Sequence, residues 1–341
     1  MPRAAELSDA IRRIHVVAAV LEDSAGRVLI AQRPPGKSLA GAWEFPGGKL
    51  HAGESRRAAL ARELDEELGI LVEAARPLIR YLHRYPDLEV DLDAWRVTRW
   101  RGEPHGREGQ AVAWRAPAGL LDAGLLPADA VIVNALRLPS MMLVTPPVAA
   151  RGEGEFLDRL ESAANDGRLG PGGLVCLRRP DLDAGALLEL AAGGACRIEG
   201  TGVRLILHGE PEELAPQVLE PPPALRPRLG GVLAGLHVPA RCLAGLSGRP
   251  VPGDLWFGAS CHTAEELAAA RAAGADYAFL GNVRPTASHP DRSGLGWERF
   301  AARVAELPLP VYGIGGLGPA DLDEAWAAGA QGIAAIRGLW G

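Results

Sequence analysis

The sequence predicts an α/β protein of two domains, the second of them a compact (β/α)8 barrel. Three observations carry that prediction. A chain of 341 residues exceeds the usual size of one domain. Its hydrophobic share of 48% supplies two proper cores and is far too high for a disordered chain. From Met141 onward, short apolar runs alternate with Ala- and Leu-rich helical stretches, the pattern of a barrel of parallel strands.

The elements follow in order. Ile14–Leu21 is a short apolar run that reads as a buried strand, followed by the polar turn Glu22–Gly26 and a second strand at Val28–Gln32. Glu54 to Leu68 lacks Gly and Pro, is rich in Ala, Leu, Glu and Arg, and stops at Gly69, so it predicts a helix. Leu88–Ala94 alternates apolar and acidic residues, the period of a half-buried strand. A last helix runs from Ala130 to Leu138, with Asp129 placed to cap it and Pro139 to close it. The pattern changes character after Pro139-Ser140, which sets the expected domains at 1–139 and 140–341. Barrel strands are expected at Met141–Thr145, Leu174–Leu177, Val203–Leu207, Val232–Val238, Leu255–Ser260, Tyr277–Leu280, Val311–Ile314 and Gly332–Ile336. The Pro-rich segment Glu220–Arg228 reads as a surface loop.

Composition narrows the function classes. No apolar run approaches the ~20 residues of a membrane span, and Met1–Arg13 has no apolar core of a secretory signal. A cytoplasmic protein with no membrane partner is expected. The net charge of −6 argues against binding a nucleic-acid polymer, whereas a nucleotide still fits if a metal screens its phosphates. Cys176, Cys196, Cys242 and Cys261 have irregular spacing and form no CxxC pair. They read as buried free thiols, not as disulfides or a zinc site.

The chemistry concentrates in one stretch. Gly48 is followed after five residues by Glu54, and after seven more by Arg62-Glu63-Leu64-Asp65-Glu66-Glu67-Leu68-Gly69-Ile70. On a helix, positions three and four apart share a face, so Glu63, Glu66 and Glu67 converge. Like charges so placed repel unless something offsets them, and a hard cation such as magnesium takes oxygen ligands. Arg62 and Glu54 can brace the loop against the helix, and Gly47-Gly48 lets the backbone come close. The plain alternative is a solvated acidic helix face.

This spacing resembles the Nudix box at every specified position. Trp43-Glu44-Phe45-Pro46-Gly47-Gly48-Lys49 and Arg99–Gln110 are similar to MutT-type oxidised-purine nucleotide diphosphatases, over roughly residues 12–138. The resemblance implies a Nudix α/β/α sandwich and hydrolysis of a nucleoside triphosphate to monophosphate and pyrophosphate. It implies Mg2+, with Mn2+ as a substitute, held by the Gly47 backbone, Glu63, Glu66, Glu67 and Glu108. Either Glu63 or Glu108 would prepare the attacking water, Arg33 and Lys49 would contact phosphates, and Phe45 would line the base pocket. Asp129 stands where the family usually has a base-reading Asn, and Leu88 where relatives have an Arg. Asp129 therefore has two open readings, base contact and helix cap. An ionised carboxylate cannot donate to a base carbonyl.

From Met141 to Gly341 the sequence resembles the thiamine phosphate synthase and TenI superfamily. The carriers are Leu143-Val144-Thr145, Gly258-Ala259-Ser260-Cys261-His262, Gly281–Thr286, Gly313–Gly316 and Ala335–Gly338. Where synthases carry a Gln, an Asn-Asp and a metal-binding Asp, this chain has Cys176, His208-Gly209 and Cys242. The resemblance implies a phosphate cradle at Gly315-Gly316 and Ile336-Arg337, with Thr286 and Ser288 retained and His289 replacing a Lys. His262 matches a histidine linked to thiazole tautomerisation, although a lone His at a strand end is more often structural. The expected partners are a nucleoside triphosphate, a thiazole or thiamine phosphate in the barrel, and a second copy of the chain as homodimer. The alternative function is hydrolysis of thiamine-related diphosphates, with the barrel as tautomerase or sensor.

Overall fold

The computed structural model describes residues 11–147, 152–170, 172–285 and 293–340. By its contacts the chain forms two compact units, Met1–Val133 and Asn134–Gly341.

The first unit begins with β1 (Arg12–Leu21), β2 (Val28–Gln32), β3 (Trp43–Glu44) and β4 (Gly47–Lys49). Helix α1 (Arg56–Leu68) follows, then β5 (Leu71–Arg84), β6 (Leu88–Arg101) and β7 (Val112–Arg115). A four-stranded mixed sheet runs β4-β1-β6-β5, and a three-stranded sheet runs β3-β2-β7. Alternation along β1 decides both of its faces. Val17, Ala19 and Leu21 pack with Ala59, Leu60, Leu64 and Leu68 of α1, while Ile14, Val16 and Ala18 line a cavity. Helix α1 starts where Ser55 accepts from Ala58 N (3.2 Å) and stops at Gly69, whose φ of 69° suits a residue without Cβ.

On β6 the alternation predicts acidic side chains turned to solvent, and here the structure differs. Asp91 and Asp93 are buried. Asp91 accepts from Arg80 (2.8 and 2.7 Å), Arg56 (3.0 Å) and His15 (2.7 Å), and Asp93 accepts from Arg56 (3.3 Å). Buried carboxylates are tolerated because cations from α1, β1 and β5 surround them. The strand also runs on to Arg101, paired with β5, which no sequence signal announces.

Helix α2 (Ala130–Arg137) precedes the barrel. In the second unit β8 (Met141–Val144), α3 (Glu153–Asn165), β9 (Leu174–Leu177), α4 (Ala184–Ile198) and β10 (Arg204–His208) lead on to α5 (Pro211–Leu219) and α6 (Arg226–Leu229). Then come β11 (Leu233–Val238), β12 (Trp256–Cys261), α7 (Ala264–Ala272), β13 (Tyr277–Gly281) and α8 (Trp297–Val304). The chain ends with β14 (Val311–Ile314), α9 (Leu322–Ala327), β15 (Gly332–Ala335) and α10 (Arg337–Trp340). The eight strands β8 to β15 close into a parallel barrel, each near its expected position. Tyr277, Phe279, Tyr312, Trp256 and Met142 fill its interior, and a second apolar layer joins the strands to the helices. Leu138 packs into the interior and Tyr312 donates to Pro139 O (2.6 Å), tying the segment before β8 to the barrel.

Two expectations are corrected. The segment Glu220–Arg228 is not all loop, because Leu225 and Leu229 are buried and draw Arg226–Leu229 into a helical turn. The cysteines are free, but only Cys176 and Cys261 are buried; Cys242 is half-buried and Cys196 is exposed on α4. No helix among the described residues is long and apolar enough to cross a membrane.

Candidate active site and barrel mouth

One cavity of about 930 Å3 opens in the first unit. At one end it is lined by Gly47, Gly48, Lys49, Glu63 and Glu67, and at the other by Phe45, Tyr85, Leu88, Leu126 and Asp129. Two close approaches build the first end. A Cβ on Gly47 would meet Val17 O at 2.1 Å, and one on Gly48 would meet the Glu63 carboxylate at 2.3 Å. Glycine at both positions lets β4 lie against β1 and under α1.

The four glutamates expected to hold the metal part company. Glu63 and Glu67, one helical turn apart, line the cavity. Glu67 Oε2 accepts from Gly47 N (3.1 Å), and burial pushes its carboxyl up to about 7. Glu66 is exposed and turned to Arg62 Nη1 (3.1 Å), while Glu108 is exposed and paired with Lys37 (3.4 Å). Arg62 is the hub. It holds both oxygens of Glu54 (2.9 and 3.0 Å), Glu63 Oε1 (2.8 Å) and the Lys49 carbonyl (3.1 Å), which holds Glu54 down to about 2.

Among the described residues, no three carboxylate, imidazole or thiol side chains already converge as a metal cluster. The donors nonetheless suit a hard cation. Glu67 is a cavity-lining carboxylate that burial drives toward its neutral form, and Glu63 lies beside it against the Gly47-Gly48 backbone. Oxygen donors of this kind are what magnesium prefers. Glu66 and Glu108 reach such a cation only by leaving Arg62 and Lys37.

The other end is apolar with two carboxyls. Phe45 is buried, and Arg33 is held by Glu44 and by Ser38 O (2.7 Å), so it is spoken for in this arrangement. Asp129 is buried, and its Oδ2 accepts from Phe45 N (3.4 Å). Burial, helped by the Glu44 charge, pushes Asp129 up to about 8. Tyr81, fully buried, donates to the Ala128 carbonyl beside it. Sequence reasoning missed Tyr81, Tyr85 and Glu44 as cavity neighbours. Only Glu44, inside the Trp43–Lys49 lead-in, carried any signal.

At the C-terminal rim of the barrel, His262 is exposed with Nδ1 3.0 Å from Gly281 O. A carbonyl only accepts, so Nδ1 carries the proton and Nε2 is the basic nitrogen. Gly315 and Gly316 have φ of 101° and 71°, and added Cβ atoms would meet Asn282 and Arg284 at 2.7 and 2.9 Å. Ile336 is half-buried and Arg337 exposed at the start of α10. Thr286, Ser288 and His289 lie outside the described residues. A divalent cation does not fit the positions that synthases use. Cys242 stands there as a thiol donating to Glu210 Oε2 (2.7 Å), and Arg241 pairs with the same carboxylate.

Comparisons with known proteins agree with this division. A NUDIX domain family model matches residues 16–135, and a thiamine monophosphate synthase family model matches residues 141–339. The CTP pyrophosphohydrolase of Escherichia coli is 39% identical over 125 residues, 37% of this chain and 92% of that one. The 8-oxo-dGTP diphosphatase of Haemophilus influenzae is 40% identical over 124 residues, 36% of this chain and 90% of that one. In the barrel, the thiamine biosynthesis bifunctional protein ThiM/ThiE of Symbiobacterium thermophilum is 42% identical over 109 residues, 31% of this chain and 23% of that one. The chain therefore belongs to the Nudix hydrolase family through its first unit and to the thiamine monophosphate synthase family through its barrel.

Proposed function

We propose that the first unit is a magnesium-dependent diphosphatase that converts an oxidised purine nucleoside triphosphate of the 8-oxo-dGTP class into a monophosphate and pyrophosphate. The observation that carries this reading is the polarity of the cavity, with glycines, Lys49 and two carboxylates at one end and Phe45 and Asp129 at the other. A triphosphate tail suits the first end and a base the second. Glu63, Glu67 and the Gly47 carbonyl would hold Mg2+, with Mn2+ as substitute, and Glu66 and Glu108 would join once released. The cation supplies neutralisation of phosphoryl charge. Glu63 takes the proton of the attacking water while Arg62 fixes its carboxylate, and a phosphoanhydride P–O bond breaks as the water oxygen bonds to phosphorus. Glu63 is favoured over Glu108 because Glu63 lines the cavity.

Asp129 removes an objection raised by its sequence position. A carboxyl kept neutral to about 8 offers a donor and an acceptor side by side, as an amide does. That pair complements the N1–H and O6 edge of guanine. It also complements N3 and the amino group of cytosine, so a second reading is a cytidine triphosphate, the substrate in the name of the Escherichia coli relative. Initial rates with 8-oxo-dGTP, dGTP, CTP, ADP-ribose and thiamine diphosphate in magnesium separate these. Preference for thiamine diphosphate would overturn the nucleotide reading.

The barrel, on this proposal, binds a phosphorylated small molecule such as a thiazole phosphate at Gly315-Gly316 and Ile336-Arg337. Thr286 and Ser288 are proposed to flank it. His262 Nε2 is the base if the ligand is tautomerised there; a sensor would bind without turnover. We place the protein in the cytoplasm, where free thiols persist, and assign no oligomeric state beyond the homodimer as a working expectation.

A further inference from the structure

The loop that leads into β7 closes over the last turn of α1. That helix ends at Leu68, so the carbonyls of Glu67 and Leu68 have no amide of their own helix to accept from. The loop fills them. His105 N donates to Leu68 O (3.2 Å), Arg107 N to Glu67 O (2.9 Å), and Arg107 Nη1 reaches Asp65 O (2.9 Å). Gln110 adds a contact of another kind. Its Nε2 donates to the same Glu67 carbonyl (3.0 Å), while its Oε1 accepts from Glu108 N (2.8 Å). A donor faces a carbonyl and an acceptor faces an N–H, so only one orientation of the amide satisfies both. The loop turns tightly to allow this: a Cβ on Gly106 would meet Gln110 O at 1.9 Å. Gln110 is half-buried, whereas Glu108 is exposed.

One amide therefore joins the backbones of two residues whose carboxylates the proposed function gives to the cation, Glu67 on the helix and Glu108 on the loop. We infer that Gln110 is a positioning residue for the metal shell. It fixes the span between Glu67 and Glu108, so that Glu108, once released from Lys37, reaches the cation held at Glu63 and Glu67. The inference rests on that reading of the first unit and extends it to a residue that does not line the cavity. The physical reason is the cost of ordering. Glu108 sits on an exposed turn, and Lys37 at 3.4 Å is a weak hold between two exposed groups. A ligand on such a turn is ordered at the expense of binding unless its backbone is already fixed. The bond from Glu108 N to Gln110 supplies that restraint, and the bond to Glu67 O carries it to the helix. If the amide is removed, Glu67 O keeps Arg107 N and the exposed Glu108 N turns to water. The amide thus contributes more to the register of the loop than to the fold.

The test measures Mn2+ binding to the full chain, without nucleotide, from the electron paramagnetic resonance of the free ion. Gln110→Met keeps the length and bulk of the side chain and removes both bonds. It is expected to weaken Mn2+ binding about tenfold, and Glu108→Gln to weaken it at least as much. The double variant should bind Mn2+ no more weakly than Glu108→Gln alone, because Gln110 acts through Glu108. Arg107→Ala removes a neighbouring contact between loop and helix but leaves Glu108 N held, and it should leave the affinity unchanged. An unchanged affinity in Gln110→Met, with only a lower melting temperature, makes the amide a staple of the fold and overturns the inference. Additive losses in the double variant, or an equal loss in Arg107→Ala, overturn it too. If Glu63→Gln weakens binding and Glu108→Gln does not, Glu108 is no ligand, and the inference fails while the cavity keeps its cation. If neither weakens it, the cation does not sit at these carboxylates, and the reading of the cavity fails along with the inference.

Discussion

The Nudix cavity and the barrel mouth carry opposite sets of charged side chains. In the first, carboxylates are gathered on one helix and balanced by a single arginine, so an incoming cation has oxygen ligands to take over. In the second, Cys242 and His208-Gly209 occupy positions where synthases resemble one another in acids, Arg178 and Arg337 lie at the strand ends, and Arg241 is paired with Glu210. On our proposal the first site is anionic and takes a cation, whereas the second has arginines of its own. Family membership alone would have assigned magnesium to both. The particular residues decide, because a ligand position replaced by Cys or His no longer carries negative charge at neutral pH.

Four experiments break or sharpen that contrast. The largest effect is expected from Glu63→Gln, which removes charge from the cavity without changing shape. The kcat in saturating magnesium should fall about 10²–10³-fold, with the circular dichroism spectrum unchanged. Full turnover would remove the cavity from the chemistry.

The second tests the scaffold beneath α1. Arg80, His15 and Arg56 hold Asp91 well below the usual carboxylate range against the opposing effect of burial. Its stabilisation is present above the unfolded pKa and fades as pH falls below the ordinary carboxylate range. Asp91→Asn removes the buried anion that the partly exposed Arg56, Arg80 and His15 surround, and denaturant titration should show about 1–3 kcal/mol of lost stability at pH 7. A loss under 1 kcal/mol (about the worth of a surface pair) would mean the network is not buried in solution.

Next comes the base end. Asp129→Ala should reduce discrimination among triphosphates by about 1–3 kcal/mol. With its carboxyl raised to about 8, Asp129 keeps its proton in the folded chain at neutral pH. Discrimination should therefore fade as pH rises through about 8, while Asp129→Asn, which cannot ionise, keeps it. Stability should also fall with rising pH between the unfolded carboxylate pKa and about 8, because the unfolded chain has already lost that proton. The groups that share this pocket are Arg33, Glu44, Tyr81 and Tyr85, so Glu44→Gln should lower the midpoint. A pH-independent preference would mean that Asp129 does not read the base.

The smallest expected effect is none. Expressed in cells that lack thiamine phosphate synthase, the full chain should not support growth without thiamine. Growth would show that Arg178 and Arg241 can replace two acidic metal ligands in diphosphate departure.

What could be read from the sequence was whatever depends on near neighbours. The cap at Ser55 and stop at Gly69, the one-turn spacing of Glu63 and Glu67, and the strand alternation from Met141 onward are all local, so spacing alone expresses them. The tertiary structure decided everything that depends on burial. Asp91 and Asp93 look like a solvated edge until α1, β1 and β5 bring Arg56, His15 and Arg80 over them. Asp129 meets Phe45, 84 positions away in the chain, only in the fold, where that amide donates to it and the surrounding cavity removes water. Gln110 joins Glu67 to Glu108 only once the loop before β7 lies on the end of α1. Chain spacing sets which side chains share a face, but the free energy of a charge is set by every group around it, and those groups come from all over the chain.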